Sequence, residues 1–241
     1  MLPRFLMPQL TGEQKKRLIP FFASWLTFYI LYMPISGHPP QTLGAAFFKL
    51  LPVASLAFYV LSASIDFKGL PSKNTLVPED DRVWNFLFAL SASAVGDVLL
   101  VWRHAMFIPG LLAFAVAQGF YLHGMAGLGK SSRTRGLFLL LGIDVFLFLQ
   151  PLIDSYILSV FVALYCVLIF TMTWRATAWY ETEGSKPSLL ACVGALLFIG
   201  SDFLIALDKW VFTLPFSGSL IMSTYFGAQL CLAISTTNNL Q

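Results

Sequence analysis

Charge is the scarcest commodity in this sequence. Only 11% of its 241 residues are Asp, Glu, Lys or Arg, where a soluble domain carries about 25%, and 57% are hydrophobic. So few charges cannot cover a surface in water, and the solvent of this chain is therefore largely lipid. A net charge of +3, with no basic stripe outside the loops, argues against a nucleic-acid partner. Cysteine is nearly missing too. Cys166, Cys192 and Cys231 all lie inside apolar stretches and read as small packing residues, not as a disulfide framework. There is no HExxH, no His/Cys pair at ligand spacing and no GxSxG, so neither a zinc nor a serine-hydrolase mechanism has support, and no cofactor is called for. His38, His104 and His123 fall near the ends of apolar runs, where interfacial histidine is ordinary.

What the sequence does have is long apolar runs. A hydrocarbon core of ~30 Å needs about 20 residues of helix. On that basis the chain divides into eight spans, at about 18–33, 41–61, 83–101, 105–128, 136–150, 155–174, 188–207 and 216–235. Runs such as Leu152–Phe170 are apolar on every face and so exclude a membrane barrel, whose strands alternate. Gln150-Pro151 forces a turn between the fifth and sixth spans, which makes that pair a tight hairpin and leaves seven spans as the fallback. The expected fold is all-α, a polytopic membrane helix bundle forming one integral-membrane domain over residues 1–241.

Basic residues orient it. With eight spans, the N-terminus, the loops 62–82, 129–135 and 175–187 and the C-terminus share one side. They hold Arg4, Lys15, Lys16, Arg17, Lys68, Lys73, Arg82, Lys130, Arg133, Arg135, Arg175 and Lys186, against Arg103 and Lys209 opposite. That asymmetry places both termini in the cytosol.

In a bundle this apolar, ionisable residues at membrane depth are the functional candidates, because a charge at the bilayer centre costs at least ~2.5–3.5 kcal/mol. Four qualify. From the non-cytosolic end, Asp97 lies about 6 Å in, Asp202 about 8 Å, Asp144 about 9 Å and Lys49 about 12 Å, which points to one shared polar cavity. Ser93 stands one turn before Asp97 on the same face. Lys209, seven residues after Asp202, returns to nearly the same azimuth. Tyr225 and Gln229 are one turn apart on the last span, and such donors are what a pair of buried carboxylates requires. An ordinary helix-pinning role stays open for Asp144 and Lys49, and ordinary interhelical hydrogen bonding for Ser93, Tyr225 and Gln229.

Several segments resemble the YhhN-like lysoplasmalogenase family. The C-terminal block is Gly194-Ala-Leu-Leu-Phe-Ile-Gly-Ser-Asp202-Phe-Leu-Ile-Ala-Leu-Asp-Lys209, then Pro215 and Leu220-Ile-Met-Ser-Thr-Tyr225-Phe-Gly-Ala-Gln229. Ser91-Ala-Ser-Ala-Val-Gly-Asp97-Val-Leu-Leu and Phe107-Ile-Pro-Gly-Leu-Leu-Ala-Phe114 look like its central signature, and Lys49-Leu-Leu-Pro52 like its early element. Two positions depart from it: Gln118, shortly before Tyr121, stands where a histidine is expected, and Asp208 where a neutral residue is expected. A glutamine can only hydrogen-bond, so no proton transfer is expected at that position.

The resemblance implies an eight-span enzyme, in animals of the endoplasmic reticulum membrane. It would cleave the vinyl-ether bond of lysoplasmalogens to a fatty aldehyde and glycerophosphocholine or glycerophosphoethanolamine. Its partners would then be a lysophospholipid substrate and membrane lipid. Such a reaction protonates a vinyl carbon and captures the resulting oxocarbenium ion with water, as two carboxylates do in glycosidases. Asp97 and Asp202 are the expected acid/base pair, meeting closely enough to share a proton. Lys49 and Lys209 are candidate phosphate or glycerol-oxygen ligands, with Tyr225 and Gln229 orienting a carboxylate or the water, and Ser93, Gln118 and Tyr121 nearby. A proton-coupled transporter is the alternative, since transporters also line midplane cavities with Asp and Lys. An intramembrane aspartyl protease is a weaker one, because Ala94 breaks the Gly-x-Gly-Asp pattern.

Overall fold

A computed structural model describes residues 10–32, 38–64, 81–129 and 132–237. Arg4, Lys68, Lys73 and Lys130, most of the loop 62–82, and residue 33 of the first span lie outside the described residues. Within them the chain is helical, with no strand. The helices are α1 (Gly12–Arg17), α2 (Ile19–Tyr32), α3 (Leu43–Ser64), α4 (Asp81–Leu99), α5 (Phe107–Met125), α6 (Arg135–Leu149), α7 (Tyr156–Glu183), α8 (Lys186–Ala206) and α9 (Ser217–Thr237).

Seven of these segments are long and apolar enough to cross a membrane among the described residues, from α3 through α9. The helix α2 matches the first expected span but covers 14 residues, short of the hydrocarbon thickness. Ile30, Leu43, Leu140, Ile157 and Val167 are exposed on the outside of the bundle, a surface suited to lipid and not to water.

The helix ends follow from local chemistry. Ser155 caps α7 by accepting from the Leu158 N–H, and Ser185 caps α8 by accepting from the Ser188 N–H, with Pro187 in the first turn, where its missing donor costs nothing. Nothing interrupts α7 until Gly184 takes a left-handed φ of 60°. Helix α7 therefore runs nine residues past the expected limit at 174, and most of the expected 175–187 loop is helix. Arg175 lies on that extension, where its guanidinium donates to the carbonyls of Ala126 and Leu128 at the end of α5.

Helix α9 is the hub: 72% of its apolar stretch is buried, against 11% for α6 at the edge. It packs along α8 and also touches α3 and α4, while α5 lies against both α4 and α7. After Ala206 the chain widens into a π-turn over Leu207–Val211. The extra residue per turn rotates Lys209 away from the azimuth of Asp202, so the expected alignment of the two does not hold and they face different cavities.

Candidate active site

Two polar clusters lie inside the bundle. The first centres on Asp97, which is 1% exposed. Lys49 Nζ of α3 stands 3.3 Å from its Oδ1, and Tyr225 of α9 donates to its Oδ2 at 2.6 Å. Gln229, one turn on, donates to the Tyr225 hydroxyl at 3.3 Å, and Tyr121 of α5 donates to Gln229 Oε1 at 2.5 Å. Five sequence-selected residues on four helices thus form one chain of hydrogen bonds, which answers the rule that buried charge be paired and buried hydroxyls bonded. Ser93 is buried beside it on α4, and its Oγ has no hydrogen-bond partner among the described residues.

The second cluster belongs to Asp202 of α8. Tyr165 of α7 donates to its Oδ2, and Gln118 Nε2 of α5 donates to the Tyr165 hydroxyl at 3.5 Å. Gln118 and Tyr121 are three residues apart on one helix, yet each serves a different carboxylate. No hydrogen bond joins Asp97 to Asp202. The expectation of a shared proton is therefore corrected: each carboxylate has its own tyrosine. The link between the clusters is aromatic. Phe114, Phe198 and Tyr225 pack edge to face with centroids 5.6–6.2 Å apart.

Asp144, the fourth intramembrane charge, is exposed on α6 and joins neither cluster. Helix α6 lays Gly142 against the Phe170 ring of α7, and Asp144 lies off that face. The expectation of one cavity for all four charges does not hold.

Two cavities meet at this level. One, of ≈ 310 Å³, lies among α5, α6, α7 and α8; its walls are hydrocarbon and aromatic apart from the Asp202 carboxylate, the Tyr165 hydroxyl and the Cys166 thiol. The other, of ≈ 430 Å³, is lined by His38, Lys49, Arg103, His104, Asp208 and Lys209, with Ser217 beside them. Leu100, Phe107 and Ile205 line both, so the two share a wall. Lys209 Nζ sits 4.4 Å above the Phe107 ring at that wall.

Four of these residues were not selected from sequence. Tyr165 sits in a run that reads as uniform core, and its one signal is that a buried tyrosine needs a partner for its hydroxyl. His38, Arg103 and His104 read as interfacial, but the structure gathers them with Lys49 and Lys209. Among the described residues no three His, Cys, Asp or Glu are grouped to hold a metal.

The fold and the two clusters define a polytopic helical membrane protein with one buried carboxylate, Asp202, in the wall of an apolar cavity and another, Asp97, paired with a lysine that lines a cationic one. This chain belongs to the YhhN family, whose pattern matches residues 44–236. It is 35% identical over 232 residues to lysoplasmalogenase TMEM86A of Bos taurus, covering 92% of this chain and 89% of that protein. The human protein of the same name is 33% identical over 230 residues, at 92% and 89% coverage. Lysoplasmalogenase TMEM86B of Mus musculus is 30% identical over 230 residues, at 94% and 89%. No solved structure gives a significant match.

Proposed function

We propose that this protein is a lysoplasmalogenase, a membrane hydrolase that cleaves the vinyl-ether bond of lysoplasmalogens to a fatty aldehyde and a glycerophospho-alcohol. The observation that carries the reading is the adjoining pair of cavities: an apolar one with a lone carboxyl group in its wall, and a cationic one next to it. A lysolipid has that same division, a hydrocarbon chain joined through the vinyl ether and glycerol to a phosphate. Leu100, Phe107 and Ile205 form the shared wall between the two cavities, so one lysolipid could reach from one to the other.

In this reading Asp202 donates its proton to the β-carbon of the vinyl ether. Hydrocarbon walls, with no cation paired to it among the described residues, favour the neutral acid. The carboxylate left behind faces the oxocarbenium ion and then takes a proton from the water that attacks it. The hemiacetal collapses to aldehyde and free glycerol hydroxyl. Tyr165 orients the carboxyl group, with Gln118 behind it. Asp97, the second carboxylate of the pair, stays an anion; with Tyr225, Gln229 and Tyr121 it holds Lys49 at the cationic cavity. Lys49, Lys209 and Arg103 take the phosphate. Ser93 supplies a free hydroxyl beside Asp97. The relatives named above are all named as hydrolases of this kind and none as a transporter.

One bundle over residues 1–241 is proposed with eight spans, the segment containing α2 being the first, and with both termini cytosolic, as the basic residues demand. The endoplasmic reticulum is the proposed membrane.

The deciding experiment supplies purified protein in detergent with a vinyl-ether lysolipid and with its alkyl-ether analogue. Aldehyde is expected from the first alone, because the saturated ether has no carbon to protonate. No aldehyde from either would overturn the proposal.

A further inference from the structure

The cationic cavity holds one group that a phosphate would avoid. Asp208 lines it beside Lys209, and Lys49 and Arg103 belong to the same lining. Its carboxylate is held by neighbours in the same lining: Oδ2 pairs with His38 Nε2 at 2.9 Å, and Oδ1 accepts from the Leu214 N–H at 3.0 Å, with Ser217 next to them. These contacts use at most three of the roughly four lone-pair directions of a carboxylate. The side chain keeps 13% exposure. A fixed anion set among cations suits a ligand that carries both signs a short distance apart.

We propose that Asp208 recognises the ammonium group of a phosphoethanolamine headgroup and makes this cavity prefer ethanolamine to choline. This rests on the reading of the cavity as a lysolipid headgroup site. A primary ammonium offers three N–H donors to the free lone pair of Asp208. A trimethylammonium offers none and depends on aromatic faces. The Phe107 face is already covered by Lys209, which leaves Phe216 as the other phenyl ring in the lining. Charge attraction to Asp208 is common to both headgroups, so the difference is that of hydrogen bonding to a charged group, about tenfold in affinity.

The test is binding, not turnover. Alkyl-ether lysolipids, which the proposed chemistry cannot cleave, are titrated onto the purified protein with an ethanolamine, a choline or a bare phosphate headgroup. Ethanolamine is expected to bind about tenfold more tightly than choline. Asp208→Asn is expected to bring the ethanolamine ligand down to the choline level, and to tighten the bare phosphate by removing a repelling charge. Equal affinity of the wild-type protein for ethanolamine and choline would overturn the proposal, and needs no variant to read. So would an Asp208→Asn protein that weakens both zwitterions equally, which is the signature of a purely structural carboxylate. Aldehyde release plays no part in these ratios, so failure of the hydrolase reading and failure of this one are separately visible.

Discussion

Lys49 Nζ and Asp97 Oδ1 lie 3.3 Å apart with side chains 8% and 2% exposed, a buried ion pair between α3 and α4 at the edge of the cationic cavity. Such a pair is worth little relative to two well-packed apolar residues, but breaking it strands a charge, at a cost of about 3–5 kcal/mol. Lys49→Met is therefore expected to destabilise the protein by that order. Asp97→Asn placed on top of it removes the stranded anion and should recover part of the loss. Unfolding in detergent of the two single variants and the double variant gives the coupling energy directly. Strictly additive effects would show that the pair contributes nothing to the fold.

Asp202, Tyr165 and Gln118 form a relay of decreasing intimacy with the proposed chemistry, and their variants should rank in that order. Asp202→Asn keeps the shape but removes the acid, and a lost proton donor costs ~10²–10⁴ in kcat. Tyr165→Phe leaves the acid and removes the hydrogen bond that aims it, which is expected to cost about tenfold in kcat with KM nearly unchanged. Gln118→Ala loses only the 3.5 Å contact to Tyr165 and should cost less still. Steady-state kinetics on the folded variants checks the ranking. A Gln118→Ala enzyme as impaired as Asp202→Asn would give the glutamine a direct role that this geometry does not contain.

The sequence was most legible where physical cost is highest. Bilayer thickness dictates span length, so the limits of α3, α4, α5, α6 and α8 fall within a few residues of expectation. Buried charge is expensive and one-turn spacing is regular, so Lys49, Asp97, Tyr225 and Gln229 could be selected, and they do form one network; Tyr121, which only the family resemblance brings in, completes it. Helices that are apolar all round give no such guidance about facing, so the depth of Asp144 in its span does not reveal that it lies on the outer face of α6. The π-turn at Leu207–Val211 has no pattern in the sequence, yet it decides that Lys209 and Asp202 open onto different cavities. Tyr165 was hidden by its own surroundings, and His38, Arg103 and His104 by lying at span ends, where position in the chain says nothing of what they gather around.

His38 makes stability depend on pH in a fixed direction. Burial pulls its pKa below the ordinary histidine value, and the hydrogen bond to Asp208 opposes that only in part. The unfolded chain therefore takes up the proton first as pH falls. The contribution of His38 is complete above its unfolded pKa of about 6.5 and is lost as pH drops below it. The thermal midpoint in detergent should fall on going from about pH 7.5 to about pH 5.5, and His38→Gln should flatten that fall. A steeper fall in the variant would reverse the assigned sign.

Two glycines on α8 should behave in opposite ways, and together they locate the lipid chain. At Gly194 an added Cβ would lie 2.9 Å from the Ala228 carbonyl oxygen and 3.1 Å from Cys231 Cβ, both on α9. Backbone cannot yield as a flexible side chain can, so Gly194→Val is expected to push α8 from α9 and cost about 1–3 kcal/mol or more. At Gly200 nothing lies within 4 Å, and the residue lines the apolar cavity. Gly200→Leu should therefore fold as well as the parent, with a helix-propensity gain of about 0.5–1 kcal/mol. Its side chain would occupy space that the proposed function assigns to the hydrocarbon tail. KM is then expected to rise several-fold for long-chain substrates and little for short ones, measured across a series of vinyl-ether lysolipids. A stable Gly200→Leu enzyme with an unchanged chain-length profile would mean that the tail does not enter between α5, α6, α7 and α8.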